Sequence, residues 1–312
     1  MSATQTHRGR RKGVIVPMIT PVTESFELDE KSVRRVIDHL IAGGVDGIFV
    51  VGTTGESASL PMAMRSRLVE LAVQHAAGRA EVYAGISGNC LTESLRAGRE
   101  YLQAGADALV AHLPFYFALS DDEQLGYFQA LLGGIPGPLV VYNIPPTTHM
   151  SIPVEVVAKL AGHPNAVALK DSSREEGRIA QLVERLGGHK DFAIFSGYTA
   201  KAAEHLRAGA DGYVPSTGNL AARLSRRLYD AALAGRKDEL DRCQAQMDAI
   251  GRAYQAGRTL GGSLAALKAL MAEAGLCGPT VLPPLRTLDA HQRKQVVEGL
   301  VKEGLSVAEL VK

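Results

Sequence analysis

A lysine closes an apolar run in the segment AVALKDSS, residues 166–173. The run predicts a buried strand, so the amine of Lys170 at its end is partly removed from water. Loss of water disfavours the ammonium form and lowers the pKa of an amine. A neutral amine attacks ketones and forms a Schiff base. The other interpretation is a lysine that pairs with an aspartate or reaches back to solvent, and the segment alone leaves both open.

A second lysine, Lys268, also follows four apolar residues, but it lies within a helical pattern. No special role is expected of it.

Hydroxyl groups follow two other apolar runs. The segment GTTGES (52–57) offers backbone N–H groups and two threonines, which suit a small anion such as a carboxylate. It is not a phosphate-binding P-loop, because GxxxxGK[ST] is absent, and a simple tight turn is the alternative. Tyr142 ends the run LVVYN, where its hydroxyl can carry protons or can be a buried, satisfied hydroxyl.

Apolar runs and amphipathic helical patterns alternate along the chain, which predicts a parallel sheet with helical crossovers. Three segments that connect a predicted helix to the next strand resemble one another. They are AGGVDGIFV, QAGADALVA and RAGADGYVP, each with a turn, an aspartate and an apolar run. Eight candidate strands indicate a (β/α)8 TIM barrel: they lie in 13–17, 42–50, 81–86, 103–111, 139–143, 166–170, 192–196 and 207–215. An open doubly wound sheet for a dinucleotide is the rival, but GVIVPMITP carries no GxGxxG.

The expected organisation is a disordered basic tail over 1–12, the barrel over 13–233 and a C-terminal helical region over 234–312. Active sites of such barrels lie at the C-terminal ends of the strands. GTTGES, Tyr142 and Lys170 are therefore expected on one rim.

Composition narrows the class of protein. The formal net charge is +1, which gives no general attraction to nucleic acid or to anionic membranes. No run approaches the roughly 20 apolar residues of a membrane span. Three scattered cysteines without CxxC fit a reducing cytoplasm, and nine histidines without HxxxH or HExxH predict no metal site.

Taken together, GTTGES, the PFY segment after the fourth strand, YNIP and LKDSS resemble the dihydrodipicolinate synthase / N-acetylneuraminate lyase family. The resemblance implies a class I lyase that needs no metal or other cofactor. Such an enzyme acts on pyruvate or a 2-keto-3-deoxy acid, as an aldolase or dehydratase, through a lysine imine. Members are commonly homotetramers built as dimers of dimers.

The resemblance also assigns roles to residues. Lys170 falls on the imine-forming lysine, Tyr142 on the proton-carrying tyrosine and Thr53 on the hydroxyl that links tyrosines. Gly52 and Thr54 fall in the loop that holds the keto-acid carboxylate. Tyr116 falls on the tyrosine that members lend across a tight dimer.

Departures from the family pattern concern the distal end of the substrate. Thr147 stands where synthases of the lysine precursor carry an arginine, and His149 stands where glycine is usual. Gly197 and Ser216 lie in SGY and PST segments similar to those of sialic-acid lyases, but the acidic residues expected after GY are absent. Both 4-hydroxy-tetrahydrodipicolinate synthase and N-acetylneuraminate lyase are therefore disfavoured alternatives. A non-catalytic keto-acid-binding homologue is the alternative from another class.

Overall fold

The computed structural model describes residues 9–312, and its eight parallel strands close into a barrel in chain order. The predicted TIM barrel is confirmed. Each strand coincides with an apolar run identified from the sequence, although β4 and β6 each extend one residue beyond the predicted run. The strands are β1 Gly13–Pro17, β2 Gly47–Val50, β3 Glu81–Gly85, β4 Ala108–His112, β5 Leu139–Asn143, β6 Ala166–Asp171, β7 Ala193–Ser196 and β8 Gly212–Tyr213.

Helices follow the strands and continue beyond the barrel. They are α1 Glu30–Ala42, α2 Met62–Ala76, α3 Leu91–Gln103, α4 Asp121–Gly134, α5 Pro145–Thr148, α6 Val154–Leu160, α7 Arg178–Leu186, α8 Ala202–Arg207, α9 Ala222–Leu233, α10 Lys237–Gln255, α11 Leu260–Glu273, α12 Ala290–Lys302 and α13 Val307–Leu310. Short 3₁₀ turns span Ser57–Ser59, Thr199–Lys201 and Ser216–Asn219. Within residues 9–312, no helix has the length and apolar character needed to cross a membrane.

The aspartates of the three repeated helix-to-strand segments stabilise the N-terminal end of the barrel by hydrogen bonds to the backbone. Asp46, Asp107 and Asp211 each accept a hydrogen bond from a backbone N–H at the start of the preceding strand, at 2.8–2.9 Å. The same residues donate their own N–H groups to that strand. The repeat therefore sets the strand register at the end of the barrel opposite the expected active site.

Two arginines of the expected tail belong to this same end. Arg10 pairs with Asp211, and Arg11 pairs with Glu81 and donates to Tyr83 beneath the barrel interior. The expectation of a disordered segment up to residue 12 is therefore corrected at Arg10 and Arg11. Residues 1–8 lie outside the described part of the chain.

Apolar side chains fill the barrel and the shell around it. Inward-facing residues such as Ile15, Phe49, Val140 and Phe195 form one cluster, and a larger cluster lies between the strands and the helices. Tyr142 and Lys170 are each the last residue but one of their strands, β5 and β6, which line the inner cluster. The packed interior therefore forms the floor beneath them.

The C-terminal helices return to the mouth of the barrel. Gln244 on α10 accepts a hydrogen bond from the N–H of Ala203 and donates to the carbonyl of Thr199, both at 2.9 Å. These bonds fix α10 against the segment that follows β7. The helical region therefore contributes to the rim on which the candidate chemistry lies.

Candidate active site

Strand register places Lys170 beside Tyr142. The two residues are paired neighbours in β6 and β5, and both side chains point into the barrel mouth. The Nζ atom of Lys170 lies 3.8 Å from the centroid of the Tyr142 ring and 4.9 Å from that of Phe49. Lys170 is only 5% exposed, so its amine sits on a floor of aromatic rings.

No carboxylate within residues 9–312 forms an ion pair with Lys170. Burial lowers the pKa of its amine, and interactions with the Tyr142 hydroxyl only partly oppose that shift. A lysine with a lowered pKa is neutral, and hence nucleophilic, over a wider range of pH than an exposed one.

The neighbouring aspartate is occupied by other partners. The Asp171 carboxylate accepts hydrogen bonds from the N–H of Ser173 at 2.9 Å, Nδ2 of Asn143 at 2.9 Å and Nε of Arg178 at 2.8 Å. Asp171 and Arg178 are both buried. The interpretation of Lys170 as the partner of an aspartate therefore does not describe this chain.

A cavity of about 740 Å³ opens above the amine. It is lined by seven of the residues singled out from the sequence, namely Thr53, Thr54, Tyr142, Thr147, Lys170, Gly197 and Ser216. The opposite wall comes from α10 and the segment before α11, and it includes Met247, Asp248, Arg252, Tyr254 and Arg258. This wall gave no signal in the sequence, because its residues become neighbours of Lys170 only through the packing of the helical region.

Three residues expected at the site do not line this cavity. Gly52 lies behind the loop, where an added Cβ would stand 2.7 Å from the Phe49 ring, so its small size serves packing. His149 caps α5 in a left-handed conformation, and its side chain is exposed. Tyr116 is 77% exposed on the loop after β4.

The GTTGES loop is tied to the C-terminal helices by an ion pair that the sequence did not suggest. Oε1 of Glu56 lies 2.5 Å from Nζ of Lys268 on α11, and Oε2 accepts the N–H of Leu282 at 2.6 Å. Lys268 also donates to the carbonyl of Thr280 at 2.7 Å. Lys268 was not expected to be a buried amine. It is buried, and its amine serves this ion pair, because a helical pattern does not reveal that this face of α11 packs on a buried glutamate.

His112 is a further polar residue in the layer of Lys170 and Tyr142. It ends β4 in register with Tyr142, and the two ring centroids are 6.0 Å apart. Nδ1 lies 2.7 Å from the carbonyl of Leu113, and a neutral ring donates through that atom. Burial is the main cause that lowers the His112 pKa, and the nearby Lys170 lowers it further. The signal available in the sequence was that His112 directly follows the predicted apolar run 103–111.

Ser216 belongs to a short hydrogen-bonded chain in the wall. Its Oγ lies 2.7 Å from Oη of Tyr254, which accepts a bond from Nε2 of Gln255 at 2.7 Å. Burial raises the pKa of Tyr254 to about 12, so this hydroxyl stays protonated.

The sequence is similar to that of a known protein family over nearly its whole length. Residues 10–303 match the model of the dihydrodipicolinate synthetase family. A protein of Alkalilimnicola ehrlichii named 4-hydroxy-tetrahydrodipicolinate synthase is 31% identical over 292 residues, which covers 94% of this chain and 98% of the relative. One of Nitrosospira multiformis with the same name is 32% identical over 297 residues, which covers 95% and 97%.

Solved structures share the whole architecture. YagE of E. coli, a prophage protein of the dihydrodipicolinic acid synthase family solved in complex with pyruvate, superposes with a TM-score of 0.89 at 27% identity over 94% of this chain and 99% of that one. Dihydrodipicolinate synthase of Bacteroides thetaiotaomicron superposes with a TM-score of 0.89 at 31% identity over 93% and 98%. The chain belongs to the dihydrodipicolinate synthetase family.

Proposed function

We propose that this protein is a lyase that forms a Schiff base between Lys170 and the keto group of pyruvate or a 2-keto-3-deoxy acid. The observation that carries the proposal is the buried amine of Lys170, which has no carboxylate partner among residues 9–312 and lies against Tyr142 at the floor of the cavity. YagE was solved in complex with pyruvate, which supports a keto acid as the ligand.

The proposed reaction begins with attack of Nζ of Lys170 on the keto carbon. The carbonyl oxygen leaves as water, with one proton from the amine and one supplied through Tyr142, and a protonated imine remains. The positive charge acidifies the neighbouring C3, whose proton returns through Tyr142 and Thr53. The enamine so formed attacks an aldehyde carbon, the new alkoxide takes up a proton, and water hydrolyses the imine to release the product.

Cleavage is the reverse sequence and releases pyruvate. Dehydration shares the same imine and enamine, from which a hydroxyl on C4 leaves as water. The Thr53–Thr54 segment is proposed to hold the carboxylate next to the keto group, since both threonines line the cavity and hydroxyl groups suit an anion.

Thr147 is the reason to favour a substrate other than aspartate semialdehyde. It lines the cavity, but its hydroxyl lacks the fixed, bidentate donors with which an arginine holds a carboxylate. A substrate panel tests this point: pyruvate with aspartate semialdehyde, N-acetylmannosamine, glyceraldehyde and glycolaldehyde, together with dehydration of 2-keto-3-deoxy acids. Efficient turnover of aspartate semialdehyde would overturn the interpretation of Thr147.

The decisive test of the reaction class is reduction with borohydride in the presence of pyruvate. The expected result is one covalent adduct, located on Lys170 by peptide mass spectrometry and absent from the Lys170→Ala variant. Lys268 provides the internal control, since it is also buried but paired. Failure to trap an adduct, or its persistence in Lys170→Ala, would refute the proposal and leave the non-catalytic keto-acid-binding homologue.

Tyr116 is proposed to act in the site of a second copy within a homotetramer built from dimers. It lies with Phe115 and Phe117 in one loop, and these three aromatic side chains are 42–77% exposed. A second copy that covers them would remove this apolar surface from water. Sedimentation of wild type and of Tyr116→Ser tests the assembly, and a monomeric wild type would exclude it.

A cytoplasmic location is proposed on the three unpaired cysteines, of which Cys90 is exposed while Cys243 and Cys277 are buried.

A further inference from the structure

Arg174 stands at the mouth of the cavity, four residues beyond Lys170. It lines the cavity and is exposed, whereas Lys170 at the floor is buried. Within residues 9–312 no carboxylate pairs with its guanidinium, which instead lies 5.7 Å from the centroid of the Tyr198 ring. Tyr198 lines the same cavity. An arginine stacked on an aromatic ring keeps its donors free for another partner.

The loop that carries Arg174 is fixed at both ends. Asp171 accepts the N–H of Ser173 at its start and the guanidinium of Arg178 at its end. Arg178 also donates to the carbonyl of Ile152. Because this ion pair is buried, the backbone around Arg174 is set before any ligand arrives, and less ordering is required upon binding.

The charged side chains of the opposite wall are already engaged with partners within the chain. Arg252 pairs with Glu303, Arg258 donates to the carbonyls of Ala253 and Ala256, and Asp248 accepts from Gln244. Among the three arginines that line the cavity, Arg174 is therefore the one whose guanidinium has no hydrogen-bonding or ionic partner within residues 9–312. The opening thus presents a positive group, with the reactive amine below it.

We propose that Arg174 binds a terminal anionic group of the substrate, at the end remote from the keto group. This inference rests on the proposed function and narrows it to acid-terminated substrates: 2-keto acids or aldehydes that carry a second carboxylate or a phosphate. The keto carbon meets Lys170, the adjoining carboxylate meets Thr53 and Thr54, and the chain extends towards Arg174, whose planar donors suit either anion.

Equilibrium binding in the Lys170→Ala background tests the subsite without depending on imine formation. Matched ligands are 2-oxoglutarate and 2-oxoadipate against the neutral-ended 2-oxopentanoate and 2-oxohexanoate, measured by calorimetry. We expect the acid-ended member of at least one pair to bind about 10- to 100-fold more tightly. Arg174→Gln should remove that preference and leave affinity for the neutral member within about threefold, and Arg174→Lys should retain part of it.

Arg258→Gln is the matched control, because this arginine lines the same cavity but is bonded to the backbone. The preference of the Arg258→Gln variant for acid-ended ligands should stay within about threefold of that of the Lys170→Ala parent. Turnover of pyruvate with glyceraldehyde 3-phosphate and with glyceraldehyde then separates a phosphate from a carboxylate preference.

Equal affinity for both members of each pair, together with no preference for the phosphorylated aldehyde, would overturn the subsite. So would a preference that survives Arg174→Gln. Failure of the proposed reaction would be recognised separately, by the absence of a borohydride-trapped adduct in the wild-type protein, which retains Lys170.

Discussion

Nζ of Lys268 lies 2.5 Å from Oε1 of Glu56, and both side chains are almost completely buried. The pair joins α11 to the loop that carries Thr53 and Thr54. Glu56 has a left-handed backbone conformation with φ of 59°, which a residue other than glycine rarely adopts. Its three polar contacts, to Lys268, to the N–H of Leu282 and through its own N–H to Thr53, hold the loop in that conformation.

Removal of one partner should destabilise the fold strongly. Glu56→Gln or Lys268→Met leaves the other charge buried without its counterpart, so we expect the free energy of unfolding to fall by about 3–5 kcal/mol. Urea unfolding measures this loss. The double variant should recover a substantial part of it, and two single losses that simply add would show that the pair is not coupled.

Lys170→Met should have the opposite effect on stability. Its amine is buried without a carboxylate, so a methionine of similar length removes a desolvation cost, and we expect a gain of up to about 2 kcal/mol with complete loss of the trapped adduct. Lys268→Met is the matched comparison. Destabilisation by both substitutions would mean that the contacts of Lys170 with Tyr142 and Phe49 outweigh the cost of burying its amine.

Imine formation should depend on pH through Lys170. Burial lowers the pKa of this amine, so the trapping rate should fall as pH decreases through that lowered pKa and should level off above it. The free energy of unfolding should also rise with pH, because the unfolded state binds the Lys170 proton more tightly than the folded state does. The cost of burying the charged amine is fully present below the folded-state pKa, and it disappears as pH rises to the unfolded-state pKa. A trapping rate that keeps rising to the pKa of an ordinary lysine would contradict this assignment.

Tyr142→Phe should separate chemistry from binding. The ring that contacts Nζ and His112 is retained, whereas the hydroxyl that is proposed to move protons is lost. We expect kcat to fall by about 10²–10⁴ with a much smaller change in KM for pyruvate. Thr148→Val is a control, since within residues 9–312 that buried hydroxyl donates to the carbonyls of Ile144 and Met150 and to no group of the cavity. A kcat within threefold of wild type in Tyr142→Phe would remove the proton-carrying role.

Contacts between consecutive elements were predictable from sequence. Strand and helix patterns gave the barrel, and strand ends placed Tyr142 and Lys170 together, because parallel register depends on local periodicity. The repeated aspartates marked real helix-to-strand segments, although their hydrogen bonds to the preceding strands required coordinates.

Contacts between distant segments were not predictable. The burial of Lys268 depends on Glu56, which follows β2 and is far from α11 in the sequence. The anchoring of Arg11 likewise depends on Glu81. The wall formed by α10 likewise follows from tertiary packing. Arg174 is adjacent to a recognised motif, but only its stacking on Tyr198 and its place at the cavity mouth distinguish it from an ordinary surface arginine.

The division of the cavity between strands and α10 has an evolutionary consequence. Lys170 and Tyr142 lie on strands of the barrel, whereas residues such as Met247 and Tyr254 lie on a helix beyond its eighth repeat. Substitutions on α10 can therefore alter the shape above the amine without disturbing the register that aligns the lysine with the tyrosine. Related barrels can thus acquire new substrates through changes in the C-terminal helical region while they retain the same covalent step.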